Sequence, residues 1–281
     1  MKEITEELFS YIIYSGPTGT PPPRDLDKIK SFIDQGAELN KIDSIFKRDL
    51  LTCVIRNTKS KRERLATIKL LVDSGARINF KNKIGPSPIN SALDCLDYRV
   101  TKFLLENGAI ILPQRDLYAS KIIEKDNIKF FELLLEHGLD INAPTSYSYM
   151  AGANDDIEIP GNSLLIDAVV LNAINIVKCL IENNADIHYS HPFSGSALAR
   201  AIYYNNTEAL ELLLEAGGNP NEIIFPGNIP VLRNAISRGH LECVKLLLKY
   251  GAKIEDAYVK EDLENLNIPR DVARQIEELL T

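Results

Sequence analysis

The chain has 281 residues, 45% of them hydrophobic and 25% charged, a balance that excludes disordered, collagen-like and mucin-like chains. No apolar run reaches the roughly 18–20 residues of a membrane span, and the mixed-charge start Met1-Lys2-Glu3-Ile4-Thr5-Glu6-Glu7 lacks the apolar core of a signal peptide. A net charge of −7 argues against a general nucleic-acid binder; residues 1–140 carry 22 Lys and Arg against 20 Asp and Glu, residues 141–281 only 10 against 19, so the second half alone is −9.

From the N-terminus, residues 5–14 read as a helix. Residues 15–23 read as a loop, because Pro21, Pro22 and Pro23 in succession cannot be helical. Residues 26–34 read as a second helix, which runs into Phe32-Ile33-Asp34-Gln35-Gly36-Ala37-Glu38-Leu39-Asn40. This phrase recurs as Leu70-Leu71-Val72-Asp73-Ser74-Gly75-Ala76-Arg77-Ile78-Asn79, Leu104-Leu105-Glu106-Asn107-Gly108-Ala109 and Leu134-Leu135-Glu136-His137-Gly138-Leu139-Asp140-Ile141-Asn142. It returns again around Asn184, Gly217 and Gly251. Gly after a helix supplies a left-handed C-cap, and Asn184 is the common substitute. The slots at 36, 75, 108, 138, 184, 217 and 251 are 39, 33, 30, 46, 33 and 34 residues apart.

A second signal lies 21 residues before four of these slots: Ser87-Pro88-Ile89-Asn90-Ser91-Ala92, Ser163-Leu164-Leu165-Ile166-Asp167-Ala168, Ser196-Ala197-Leu198-Ala199-Arg200-Ala201 and Pro230-Val231-Leu232-Arg233-Asn234-Ala235. Ser caps the first helix of a unit, and the small Ala allows close helix approach. Extra residues fall at 57–64, read as a basic loop, and at 143–161, read as a long finger. Residues 257–266 and 270–280 read as short helices that shield the last apolar face.

A period near 33 with these phrases resembles the ankyrin-repeat family. The resemblance implies an all-α solenoid of about seven helix-turn-helix units with β-turn fingers and a C-terminal helical cap. It implies one domain over 1–281, with units at about 4–43, 44–80, 81–112, 113–143, 158–190, 191–223 and 225–256 and a cap at 257–281. The His slot of the family's Thr-Pro-Leu-His opening holds Thr52, Asn90, Ile166, Ala199 and Arg233, and the fourth unit opens weakly at Lys121-Ile122.

No GxGxxG, P-loop, HExxH or GxSxG motif occurs, and no catalytic residue, cofactor or metal is assigned. His137 precedes a cap Gly and His240 sits at an inter-helix turn; His188 and His191 read as finger residues. Cys53, Cys95, Cys179 and Cys243 are far apart, without CxxC, as expected in a reducing compartment. Cys179 and Cys243 fall on apolar positions, and Cys95 near the end of a first helix.

Family resemblance implies that partners dock in a groove lined by first helices and finger tips. Those positions carry Leu171, Phe193, Tyr203, Tyr204, Phe225 and Arg238, with Tyr147 and Tyr149 of the long finger able to fold over them. Tyr and Phe are common interface anchors. Asp155, Asp156 and Glu158 on the finger would steer a basic, partly apolar partner protein or peptide toward the acidic half. The expectation is a non-enzymatic, intracellular interaction module, monomeric alone, binding neither nucleic acid nor a membrane through a span. Its composition and acidic C-terminus somewhat resemble ankyrin effectors that intracellular bacteria deliver into host cells. The alternative is an effector with enzymatic, anion-binding or lipid-binding activity in the basic loop 59–64 or the finger 143–161.

Overall fold

Among the described residues, four helix pairs begin at a side-chain cap, and all seven end at a left-handed residue. The computed structural model describes residues 2–13, 25–43, 47–79, 86–111, 118–145, 147–150, 157–224, 227–253 and 268–280. Among these the helices come in pairs: α1 (Lys2–Ile13) with α2 (Leu26–Asp34), α3 (Leu50–Asn57) with α4 (Lys61–Asp73), and α5 (Pro88–Asp94) with α6 (Tyr98–Glu106). Then follow α7 (Tyr118–Glu124) with α8 (Ile128–Glu136), α9 (Leu164–Val170) with α10 (Ile174–Glu182), α11 (Ala197–Tyr203) with α12 (Thr207–Glu215), and α13 (Val231–Ser237) with α14 (Leu241–Lys249). A last helix, α15 (Arg270–Leu280), packs on α14. The expected loop at 15–23 and helix at 257–266 lie outside the described residues.

Ser87, Ser163 and Ser196 cap α5, α9 and α11 by accepting the backbone N–H three residues on, at 3.3, 3.3 and 3.1 Å. Pro230 occupies the same position before α13 and offers no side-chain bond. At the other end, Gly36, Gly75, Gly108, Gly138, Gly217 and Gly251 all have φ between 86° and 99°, and Asn184 has φ 61°. The residue after each slot reaches back five positions, as in Ala37 N–H to Phe32 C=O at 3.0 Å and Ala185 N–H to Leu180 C=O at 2.9 Å. These are Schellman caps, which satisfy carbonyls that the helix end would otherwise leave bare. The fourth unit's first helix is present despite its weak opening: Ile122 is buried where the third, fifth, sixth and seventh units carry Ala, and Ile123 beside it is buried as well.

The chain falls into two compact units, Met1–Leu112 and Pro113–Thr281. In the first, α1, α3 and α5 pack in one row and α2, α4 and α6 in another. In the second, α7, α9, α11 and α13 form one row and α8, α10, α12 and α14 the other. Ala92 in the first unit, and Ala168, Ala201 and Ala235 in the second, are wholly buried among the first helices, where a larger side chain would force them apart. Among the described residues three fingers form antiparallel hairpins: β1 (Tyr147–Met150) with β2 (Ile157–Pro160), β3 (Ser190–His191) with β4 (Gly195–Ser196), and β5 (Ile223–Ile224) with β6 (Ile229–Pro230).

The Asn that closes the repeated phrase has a purpose the phrase alone hides. Asn40 donates to the Gly75 carbonyl at 3.1 Å and accepts from Arg77 N–H at 2.8 Å. Asn79 does the same with Gly108 and Ile110, and Asn221 with Gly251 and Lys253. Asn142 accepts from Asp186 N–H at 2.9 Å. Each Asn thus ties its finger to the next one through backbone groups of fixed spacing.

Of residues 59–64 only Lys59 and Ser60 lie in the connection between α3 and α4; the rest are helical. Ser60 caps α4, accepting from Glu63 N–H at 3.3 Å, and Lys61–Arg64 form its first turn. Arg64 is buried, pairs with Asp97, and donates its Nε and Nη2 to the Thr58 carbonyl. Arg56 is likewise paired, with Asp94 at 2.8 Å. Burial of Arg64 by a partner from the following helix pair is what converts an apparent polar insertion into helix. An anion would therefore meet only Lys59, Lys61 and Arg62 as exposed cations of this run.

Asp49 caps α3 from a buried position, accepting Thr52 N–H at 2.9 Å and Thr52 Oγ1–H at 2.6 Å. Burial raises its carboxyl above the usual 3.8, outweighing the hydrogen bonds that lower it. A raised folded pKa means the charged form is disfavoured by folding. The contribution to stability is complete below 3.8 and is lost as pH rises through the raised value. Asp49→Asn keeps a capping oxygen and cannot ionise. It is expected to be at least as stable as the parent at pH 7, with the advantage vanishing below 3.8, whereas Asp49→Ala loses about 1 kcal/mol of cap. Urea midpoints across pH check this; a parent chain more stable than Asp49→Asn at pH 7 would contradict it.

Candidate functional site

Within the second compact unit, α9, α11 and α13 have the same length and end alike. Their C-cap residues are Leu171, Tyr204 and Arg238, each followed by a left-handed residue, Asn172 (φ 56°), Asn205 (φ 54°) and Gly239 (φ 67°). Equal helix length and equal turn bring these side chains into one register along the row. Leu171, Tyr203 and Tyr204 are 41%, 44% and 51% exposed, high for large apolar bodies beside a packed core. The two tyrosine rings meet edge to face at 5.0 Å and 71°. The Arg238 guanidinium lies 3.9 Å from the Tyr203 ring centre, and Arg200, one helical turn before Tyr203, lies 5.6 Å from it. Among the described residues neither arginine is in an ion pair, although Lys178, Lys245 and Lys249 of the second helices all are.

Phe193 sits in the turn between β3 and β4 and is 64% exposed. Its neighbour ring is His191, at 5.9 Å. His191 Nδ1 accepts from both Phe193 N–H (3.2 Å) and Ser194 N–H (3.1 Å), which requires a lone pair there and places the ring proton on Nε2. Ser194 Oγ donates to Asn162 Oδ1 at 2.7 Å, and Asn162 donates onward to Asp167 at 2.8 Å, so the turn is tied to α9. Tyr189 OH adds a bond to the Gly161 carbonyl at 2.8 Å.

Of the residues singled out in the sequence, the structure brings Tyr203, Tyr204 and Arg238 together. Phe193 stands on the neighbouring finger beside His191. Tyr147 and Tyr149 pair in backbone register with Pro160 and Glu158 of the β1–β2 hairpin. Asp155, Asp156 and Phe225 lie outside the described residues. Arg200 was not singled out, although its spacing of three from Tyr203 on one helix places the two side by side.

Two further histidines are engaged, and three cysteines are buried. His137 Nδ1 bonds the Leu133 carbonyl at 2.9 Å, and His240 Nδ1 bonds the Ile202 carbonyl of the preceding pair at 2.8 Å. Burial pushes the Cys53 thiol up to about 12 and Cys243 to about 11, and raises Cys179, where Glu132 and Glu182 add to it. Cys95 is exposed at the end of α5. Among the described residues no three His, Cys, Asp or Glu side chains converge on a point that could hold a metal, and no helix is long and apolar enough to cross a membrane.

Residues 165–258 match the family described as ankyrin repeats (3 copies). The ankyrin repeat protein OPG189 of vaccinia virus (strain Copenhagen) is 24% identical over 207 residues, covering 73% of this chain and 34% of that protein. Its monkeypox virus namesake is 23% identical over 208 residues, with the same coverage. The chain thus spans about a third of the length of these curated relatives. Among solved structures, an ankyrin repeat domain from Acinetobacter baumannii superposes with a TM-score of 0.57 at 23% identity, over 72% of this chain and 98% of that one. The ankyrin repeat domain of human ASB11 gives 0.59 at 18%, over 90% and 99%. Paired helices, Gly-closed Schellman caps, Asn-bridged fingers and these likenesses agree: residues 165–258 are ankyrin repeats, and the helix pairs have the ankyrin-repeat fold.

Proposed function

We propose that the chain is a protein-binding module that holds a partner against the first-helix ends and fingers of its second compact unit. Ankyrin repeats are generally protein–protein interaction modules, and the single observation that supports a contact here is the exposed row Leu171, Tyr203, Tyr204 and Arg238. Large, partly rigid aromatic side chains lose little entropy on binding and bury much area, which is why Tyr and Arg dominate interface energetics. The whole stack of repeats is taken as one binding domain over 1–281. An effector that engages a host-cell protein is the version of this role to which the composition points.

The test is a double substitution. Once a partner is isolated by affinity capture and identified, Phe193→Ala with Tyr203→Ala is expected to weaken binding by about 2–4 kcal/mol, with Cys95→Ala in the first unit as an inert control. Calorimetric titration gives the affinities. Unchanged affinity in the double variant would move the contact away from this row.

A further inference from the structure

The proposed groove has a charge of its own, opposite to that of the half in which it sits. We infer that the Tyr203–Tyr204 anchor receives an acidic segment of the partner protein, a carboxylate on Arg238 flanked by an apolar residue on Tyr204. This deepens the binding role proposed above and rests on it.

A guanidinium seated on an aromatic face is held in orientation while its N–H edge stays free. Arg238 lies 3.9 Å from the Tyr203 ring centre, is exposed, and has no acidic partner among the described residues. Such a fork is preset for two parallel N–H···O bonds to one carboxylate, the geometry in which Arg exceeds Lys. Arg200 sits on the same ring at 5.6 Å and adds a second positive charge. Tyr204, edge-on to Tyr203 and half exposed, supplies the apolar surface beside them.

The −9 net charge of residues 141–281 argues for a basic partner. Charges more than a Debye length away, about 8 Å at physiological salt, are largely screened, whereas a bonded pair is not. At contact distance Arg238 and Arg200 therefore decide the sign. Elsewhere on the second unit Lys178 is neutralised by Glu208 and Lys249 by Glu211, both at 2.9 Å. Arg238 and Arg200 have an aromatic ring beside them and, among the described residues, no acid.

The experiment is selection of a phage-displayed library of random twelve-residue peptides on the full-length chain, followed by fluorescence anisotropy with the most enriched synthetic peptide. Enriched peptides are expected to be net negative with an aromatic or aliphatic residue beside the acid. Their affinity should fall at least roughly tenfold in Arg238→Ala, and less in Arg238→Lys, which keeps the charge and loses the planar fork. Circular dichroism of both variants confirms that they are folded. Enrichment of basic peptides, or acidic peptides indifferent to Arg238→Ala, overturns the inference and leaves the binding role standing. No enrichment over bare support overturns both.

Discussion

Replacing Asp97 with Ala is expected to cost about 3–5 kcal/mol of unfolding free energy, far more than loss of an ordinary cap. Asp97 is 1% exposed and does two things at once: it pairs with Arg64 and caps α6 by accepting Val100 N–H at 3.4 Å. Arg64 is 8% exposed, so deleting its partner leaves a buried charge with only the Thr58 carbonyl to receive it. That residue of cost separates this site from Ser60→Ala, which removes a cap alone and should cost about 1 kcal/mol. Replacing both members with apolar side chains should recover much of the loss, because the attraction of a buried pair is offset by its desolvation. Urea unfolding of the three variants checks the order. Equal losses for Asp97→Ala and Ser60→Ala would show that the ion pair contributes nothing beyond a cap.

Phe131→Ala is expected to cost a similar amount, about 3–5 kcal/mol, and to do so locally. Phe131 is wholly buried in α8, next to Phe130, which is nearly so. A solenoid unit touches only its neighbours, so the cavity should loosen α7, α8 and α10 first while α13 and α14 keep their protection. Leu134→Ala, on the same helix and equally buried, should act in the same place at about 2–5 kcal/mol. Amide hydrogen exchange resolved by segment gives the answer, and uniform loss across all helices would reject local damage.

These two residues show what the sequence displays and what it withholds. Phe131 and Leu134 lie on an apolar helical stripe that periodicity reveals. The Gly slots and Ser caps are legible for the same reason, since each acts on backbone within a few residues. Arg64 is not legible, because the group that buries it stands 33 residues away; read alone, Lys59 to Arg64 is a polar run that suits a loop. The closing Asn of each phrase is visible, but its partners belong to the next finger. At the candidate site the register of Tyr203, Tyr204 and Arg238 follows from the repeat. The stacking of Arg238 on Tyr203 depends on how closely α11 and α13 approach, which the repeat does not specify.

The Asn bridges also separate contour length from rise. Asn40, Asn79 and Asn221 reach N–H groups 37, 31 and 32 residues ahead, while Asn142 reaches one 44 ahead at the same distance. The additional chain leaves and returns between two fixed anchor points, and loop closure becomes only slowly costlier with length, about 0.6 kcal/mol per doubling. Residues 143–161 are thus a socket in the framework. Segments of different length and composition are interchangeable there while every repeat beyond keeps its place, so recognition can diversify at this position without renegotiating the stack.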